Sequence, residues 1–253
     1  MNKAKVLIPH ASGTNRDHEA AEAVTKAGGI AEIAHISTLT NSAKLNDYQM
    51  IIFPGGFSYG DALGAGKRLA LDIELNLADA LSDFVAAKKP IIGICNGFQA
   101  LVKSGLLPGE GSSTQATLSH NQNSTFECRW VWLEPNKNSV SPIIQQLKEP
   151  IYCPAAHGEG RFLTDAKFEN NLVALNYADE NGNLANGDYP LNPNASQNDI
   201  AGISNKTGNI LGFMPHPEDH IHNWQHPRWT RQEQGNSGLK IFEAAINYSQ
   251  QIN

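Results

Sequence analysis

Two four-residue runs, Met50-Ile51-Ile52-Phe53 and Ile91-Ile92-Gly93-Ile94, contain no polar residue, so neither can turn one side to water as a half-exposed strand does. Each ends on a residue that breaks the run: Pro54-Gly55-Gly56 after the first and Cys95 after the second. Between them Leu77, Ala80, Leu81, Phe84 and Val85 recur at helical spacing, which gives that segment one apolar face. Strand, amphipathic helix and strand build a parallel sheet, because a parallel neighbour is reached only by a crossover long enough to hold a helix. The N-terminal region repeats the unit. Residues 5–9 are apolar, 17–27 are rich in Ala and Glu and stop at Gly28-Gly29, and 30–36 are apolar again. An α/β chain follows, with a parallel sheet covered by helices on both faces.

Beyond residue 120 the pattern changes. Residues 126–133, 151–153, 172–177, 200–204 and 210–214 read as strands separated by turn signals such as Asn181-Gly182 and Thr207-Gly208, and are expected as added or antiparallel strands. Residues 237–248, with Leu239, Phe242, Ala245 and Ile246 on one face, are expected to close the chain as a helix. No repeat or linker divides the 253 residues, so one domain over 1–253 is expected. A net charge of −6 with no Lys/Arg cluster longer than Lys88-Lys89 argues against nucleic acid as a partner. No window approaches eighteen apolar residues and no leader pattern precedes the first strand, which predicts a cytoplasmic protein away from membranes. Cys95, Cys128 and Cys153 are odd in number and lack zinc-site spacing.

Gly93-Ile94-Cys95-Asn96-Gly97 has the G-x-nucleophile-x-G form between an apolar strand and a predicted helix. A nucleophile on so tight a turn has strained backbone angles, and side chains two residues to either side would collide, which is why glycine suits both places. The helix N-terminus favours thiolate at Cys95 and offers the Asn96 N–H to an oxyanion. Gly55-Gly56, at the end of the neighbouring strand, is the expected source of a second donor. The plainer reading of Cys95 is a small buried hydrophobe at a strand end.

Met214-Pro215-His216-Pro217-Glu218 follows another apolar run. Prolines on both sides of His216 predict an extended segment, in which residues two apart point the same way and Glu218 can lie against the imidazole. Cys95, His216 and Glu218 are therefore the expected nucleophile, base and orienting carboxylate. Metal binding is the competing reading here, since His216, His220, His222 and His226 fall close together, but their spacing matches no recognised zinc pattern and no metal is expected. Residues 63–68, Leu-Gly-Ala-Gly-Lys-Arg, lack phosphate-loop spacing and are expected to be a structural loop or partner surface.

Gly93-Ile94-Cys95-Asn96-Gly97-Phe98-Gln99 and His216-Pro217-Glu218 together resemble the class I, or triad, glutamine amidotransferases. Pro54-Gly55-Gly56-Phe57-Ser58-Tyr59-Gly60-Asp61, Ala156-His157-Gly158-Glu159-Gly160 and Met214-Pro215-His216-Pro217-Glu218 narrow the resemblance to the glutaminase subunits of phosphoribosylformylglycinamidine synthases. The resemblance implies a three-layer, flavodoxin-like fold with a mostly parallel central sheet flanked by helices and added antiparallel strands in the C-terminal half. It implies L-glutamine as nitrogen donor, a γ-glutamyl thioester on Cys95, and ammonia passed to a separate synthetase subunit that consumes formylglycinamide ribonucleotide. A small accessory subunit is implied as well. ATP and magnesium are expected on the synthetase, with no cofactor on this chain. Gly55, Gly56, Phe57 and Asn96 are implied as oxyanion or substrate contacts, and Gln99 as a residue that helps hold the glutamine.

Two positions depart from the family pattern. Asp219 stands where Arg usually follows His-Pro-Glu, which predicts a missing salt bridge or partner contact, and Gly64 stands where Arg is frequent. Other readings remain open at this level: a cysteine hydrolase or peptidase of related topology, a glutaminase serving another acceptor, or a silent homologue.

Overall fold

The structure is a computed structural model and describes residues 3–39, 45–109, 116–165, 168–231 and 235–252. The apolar runs of the first half lie side by side. β1 (Lys5–His10) pairs with β2 (Ile30–His35) and β3 (Met50–Phe53), and β3 pairs with β4 (Ile91–Ile94), all parallel. The β1-to-β2 crossover is α1 (Asp17–Lys26). The β3-to-β4 crossover is a long helical stretch made of α2 (Lys67–Asp72), a wide turn at Ile73–Leu77, and α3 (Ala78–Ala86). α4 (Asn96–Lys103) leaves β4 directly after Cys95. The second half contributes β5 (Ala116–Ser119), β6 (Glu127–Pro135), β7 (Ile151–His157), β8 (Arg161–Thr164), β9 (Val173–Ala178), β10 (Ile200–Ser204) and β11 (Ile210–Phe213), followed by α5 (Leu239–Gln251).

One sheet takes nine of these strands in the order β2-β1-β3-β4-β11-β10-β9-β6-β7. The first five are parallel and the last four continue the sheet in antiparallel pairs. The parallel part is thus the larger one, and the helices that flank it make the expected α/β layering.

β11 joins the two halves. As an added strand it pairs antiparallel with β10, and on its other side it runs parallel to β4, with Gly212 beside Gly93 and Phe213 beside Ile94. Ile210-Leu211-Gly212-Phe213 is buried at every position, but so is antiparallel β10, and the direction of β11 is set by the tight reversal that joins the two. The preceding β10 is turned back on it at residues 205–209, where the Asn205 side chain accepts from Ile210 N at 3.0 Å and Gly208 takes a positive φ of 74°. β5 and β8, which the sequence did not reveal, form a separate two-stranded ribbon.

Helices cover the parallel half closely. Val24 of α1 and Ile246 of α5 meet over Gly29, where an added Cβ would lie 2.9 and 2.8 Å from them. Phe98 of α4 lies on Gly212 and Leu101 on Gly93, at 2.1 and 2.6 Å from the place a Cβ would occupy. The glycines in the strands let a helix settle onto the sheet, and the same contacts fix where α4 begins. The C-terminal ends of β3, β4 and β11 lie together on one edge, the edge where open α/β sheets bind ligands. Among the described residues no helix is long and apolar enough to cross a membrane.

Candidate active site

Cys95 joins β4 to α4 with φ 49° and ψ −104°, a conformation that L-residues adopt only under constraint. The constraint is steric. A Cβ on Gly97 would lie 2.0 Å from the Phe53 carbonyl oxygen, and one on Gly93 would lie 2.8 Å from the Gly97 backbone, so the turn closes only with glycine at both places. Cys95 N–H donates to Phe213 O at 2.9 Å, and its Sγ lies 3.7 Å from Ala156 O. The thiol is 6% exposed and sits at the N-cap of α4, next to the Asn96 N–H, which has no acceptor within the helix.

His216 follows β11 and is 2% exposed. Its backbone N–H donates to Pro154 O of β7 at 2.7 Å, so the antiparallel half fixes its position. Its Nδ1 lies 2.7 Å from Glu218 Oε1, a carboxylate with no exposed surface, while Nε2 is buried without a hydrogen-bond partner of its own. Burial pushes the imidazole toward the neutral form, but the charges of Glu218 and Cys95 outweigh it and the His216 pKa is held well above the ordinary histidine value. This arrangement favours the imidazolium form of His216. The route to the His216–Glu218 contact differs from the expected one. His216 has φ −108° and ψ 83°, and Pro217–His220 is a short 3-10 turn, closed by Asp219 N–H donating to His216 O at 3.2 Å. The turn, with Pro217 at its start, carries the carboxylate back to the ring.

The remaining predicted residues separate into different jobs. Asn96 Oδ1 accepts from Ser58 N and Oγ, at 3.2 and 2.5 Å, and its Nδ2 donates to Asp61 Oδ1 at 2.9 Å and Gln99 Oε1 at 3.0 Å. Gln99 Nε2 donates to Glu159 O at 2.5 Å. These side chains therefore bind the loop after β3 and the loop after β7 to the start of α4. Gly55 and Gly56 are needed by packing: a Cβ on Gly55 would lie 2.7 Å from His216 Cε1, and one on Gly56 2.6 Å from Asn15 N. Phe57 N–H is spent on Gly13 O at 3.0 Å, and its ring is 56% exposed.

Burial shifts Asp61 toward the protonated form, with Glu159 adding to the effect and the bonds from Gly66 and Asn96 opposing it. The segment 63–68 is a clasp on α4: Lys103 Nζ donates to Ala65 O at 2.6 Å, and Gly66 N–H to Asp61 Oδ1 at 3.3 Å.

The four C-terminal histidines also separate. His220 is held by Tyr152 O at 2.5 Å, His222 stacks on Trp224 with ring centroids 4.0 Å apart, and His226 packs against Trp130 and Tyr152. His216, Glu218 and Asp219 bring ligand-type atoms within 4.8 Å of one another, and that set is the base turn itself, with Arg16 seated on Asp219. Asp219, a residue that departs from the family pattern, has an ion-pair partner within the chain. Arg16 Nη1 reaches its Oδ1 at 3.2 Å from the opposite end of the chain.

Sequence reasoning missed Arg16 and the buried polar set beneath residues 156–160. His157 Nδ1 lies 3.1 Å from Asn121 Oδ1, and Asn194 Nδ2 donates to Gly160 O at 2.8 Å and Tyr177 Oη at 3.2 Å. Burial, with His216 as a second influence, pushes the His157 pKa down to about 4, so this imidazole is neutral beside a charged one. The Ala156–Gly160 motif marked the place, but nothing in sequence pointed to Asn121 or Asn194 as its partners.

A buried thiol on a strained strand-to-helix turn, with an imidazole and carboxylate beside it, defines a cysteine-dependent acyl-transfer site. A model of the CobB/CobQ-like glutamine amidotransferase domain matches residues 3–249, and the chain belongs to that family. Its curated relatives are narrower. It is 46% identical to the phosphoribosylformylglycinamidine synthase subunit PurQ of Treponema denticola, covering 97% of this chain and 99% of the relative. It is 42% identical to the PurQ subunit of Dehalococcoides mccartyi, covering the whole of both. Among solved structures, a chain of PurLQS from Thermotoga maritima matches with a TM-score of 0.75 and 32% identity over 98% of this chain and 99% of that one. Identity at this level over full length places the chain within the PurQ family.

Proposed function

We propose that this chain is the glutaminase subunit of a phosphoribosylformylglycinamidine synthase. Membership of the PurQ family supports the acceptor, and the buried Cys95, His216 and Glu218 constellation supports the chemistry. The observation that carries the reading is the strained backbone at Cys95 on the strand-to-helix turn, with the His216–Glu218 pair beside the thiol.

In the first half-reaction the Cys95 thiolate forms a bond to the carboxamide carbon of L-glutamine, and the carbonyl electrons move onto oxygen. Asn96 N–H at the start of α4 and a backbone N–H of the Gly55-Gly56 segment face the developing oxyanion. His216, as imidazolium, gives its Nε2 proton to the leaving nitrogen as the C–N bond breaks, so ammonia departs and a γ-glutamyl thioester remains. Water then attacks the thioester carbon, gives a proton to His216, and the C–S bond breaks to release glutamate and restore the thiolate. Glu218 holds the imidazole by Nδ1 through both steps.

Ammonia goes to a separate synthetase subunit, where ATP and magnesium drive conversion of formylglycinamide ribonucleotide to its amidine; a small accessory subunit completes the assembly. This chain binds no cofactor in the reaction. Free ammonia is protonated in neutral water, so the isolated chain should hydrolyse glutamine slowly and the docked one fast.

The test is ATP-dependent amidine formation by the synthetase mixed with wild-type chain or Cys95→Ala, with glutamine or ammonium as donor. Cys95→Ala should lose the glutamine-driven reaction by about 10³-fold or more and leave the ammonium-driven one unchanged. Glutamine use by Cys95→Ala at the wild-type rate would falsify the proposal.

A further inference from the structure

The segment before α1 runs along the end of β3. Gly13 O accepts from Phe57 N at 3.0 Å, Ser12 O accepts from Tyr59 N at 2.5 Å, and Thr14 forms an antiparallel bridge with Gly56. Arg16 ends this segment, and its side chain runs past Gly55, with Cγ 3.5 Å from the place a Cβ would occupy; the His216 ring lies 2.7 Å from the same place. The guanidinium continues to Asp219 at 3.2 Å, with Glu19 at 3.5 Å. A second contact follows one helical turn on, where Glu22 Oε1 meets His222 Nε2 at 2.7 Å. Asp219 has 18% of its side chain exposed, so its charge is poorly solvated, and it sits next to Glu218, the carboxylate that orients His216.

We propose that the Arg16–Asp219 ion pair is a positioning tether that holds the His216–Glu218 turn in register with the Gly55-Gly56 strand end. This inference rests on the glutaminase reading of the site. Neither side chain touches the thiol. Arg16 acts through Asp219 on the turn, and through its stem on Gly55, so one side chain spans the base and the strand expected to supply an oxyanion donor. Without the guanidinium, two neighbouring carboxylates would share a nearly buried turn, and either one takes a proton or the turn moves; both outcomes weaken the hold of Glu218 on the imidazole.

The groups facing Asp219 are Glu218 and His216 beside it, Arg16 just before α1 and Glu19 within it, and Cys153 on β7. Burial and then Glu218 push Asp219 up to about 6, against the pull of Arg16 and His216. The pair is therefore charged well above that pH and is lost as pH falls through it. Removing Arg16 takes away the opposing pull, so the acid limb of glutamine-driven kcat should move to higher pH.

The experiment uses the assembled synthetase with glutamine or ammonium as donor and compares wild type, Arg16→Gln, the single variants Arg16→Asp and Asp219→Arg, and the exchanged pair Arg16→Asp/Asp219→Arg. Arg16→Gln should lower glutamine-driven kcat by about tenfold with little change in KM, raise the acid limb, and leave ammonium-driven turnover intact. The exchanged pair should recover most of the kcat that either single variant loses, which a variant that merely unfolds could not do. A wild-type kcat and pH profile for Arg16→Gln overturns the tether, and so does an exchanged pair whose loss is the sum of the two single losses. Cys95→Ala measured alongside separates the two claims. Its loss of glutamine use with unchanged Arg16→Gln kinetics sinks the tether alone, whereas retained glutamine use sinks the glutaminase reading too.

Discussion

The two halves of the sheet are built by different means. In β1, β3, β4 and β11 nearly every residue is buried, and the strands are held by apolar helices on glycine-thinned surfaces. In the antiparallel half, β6 and β7 alternate between buried and half-exposed residues, and the end of β7 is secured by buried side-chain amides. The nucleophile and base leave the first kind of strand, while Ala156 O beside the thiol and Pro154 O beneath His216 come from the second. A site straddling both needs close packing to strain one residue and polar bonding to place its opposite wall. The two mechanisms break differently, since close packing fails by collision and a polar network by unpaired groups.

The largest effect should come from the packed half. Gly97→Ala puts a methyl 2.0 Å from the Phe53 carbonyl oxygen, between two elements that cannot separate without opening the sheet. We expect a loss of about 4 kcal/mol or more, read as unfolding at much lower denaturant concentration or as insoluble chain. A near-wild-type midpoint would mean that the collision is relieved cheaply and that the strain at Cys95 has another origin.

The polar half should answer to pH instead. The His157 pKa in the fold, about 4, is below its ordinary 6.5, so the unfolded chain takes up a proton first as pH falls. Stability from this group is full above 6.5 and is lost as pH falls toward 4, a change of roughly 3 kcal/mol. His157→Gln should flatten that part of the stability profile when compared with wild type by chemical unfolding at pH 7 and 4.5. Parallel profiles for the two proteins would show that His157 does not carry the dependence.

The same contrast decides what could be read from sequence. Ile91–Ile94 and Met50–Phe53 announce buried strands because each is a short apolar run cut off by a breaker and joined to the next by an amphipathic helix, and the glycines around Cys95 announce a turn that excludes side chains. The antiparallel half was legible as strands, but its sheet order was not, since alternation does not say which neighbour a strand takes. β11 pairs antiparallel with β10, the strand that precedes it in the chain, but that it also lies parallel beside β4 could not be read, because a four-residue apolar run names no neighbour. Arg16 and Asn194 were illegible for another reason. Polar side chains in loops carry no periodic signal, and their partners lie 203 and 34 residues away, as for Asp219 and Gly160.

Ser196→Ala should give the smallest of these effects and sharpens the comparison most. Ser196 Oγ donates to Asn194 Oδ1 at 2.7 Å and accepts from Phe162 N at 3.0 Å, so it joins the network under residues 156–160 to the start of β8. Removing the hydroxyl deletes no apolar contact of consequence but leaves Phe162 N–H buried without its acceptor. That cost is about 1 to 2 kcal/mol, less than the collision at Gly97. Hydrogen exchange should show the loss locally, with faster exchange at Phe162 and Gly160 and unchanged protection in β4 and β11. If protection fell equally across the parallel strands, the halves would be one cooperative unit and the distinction drawn between them would fail.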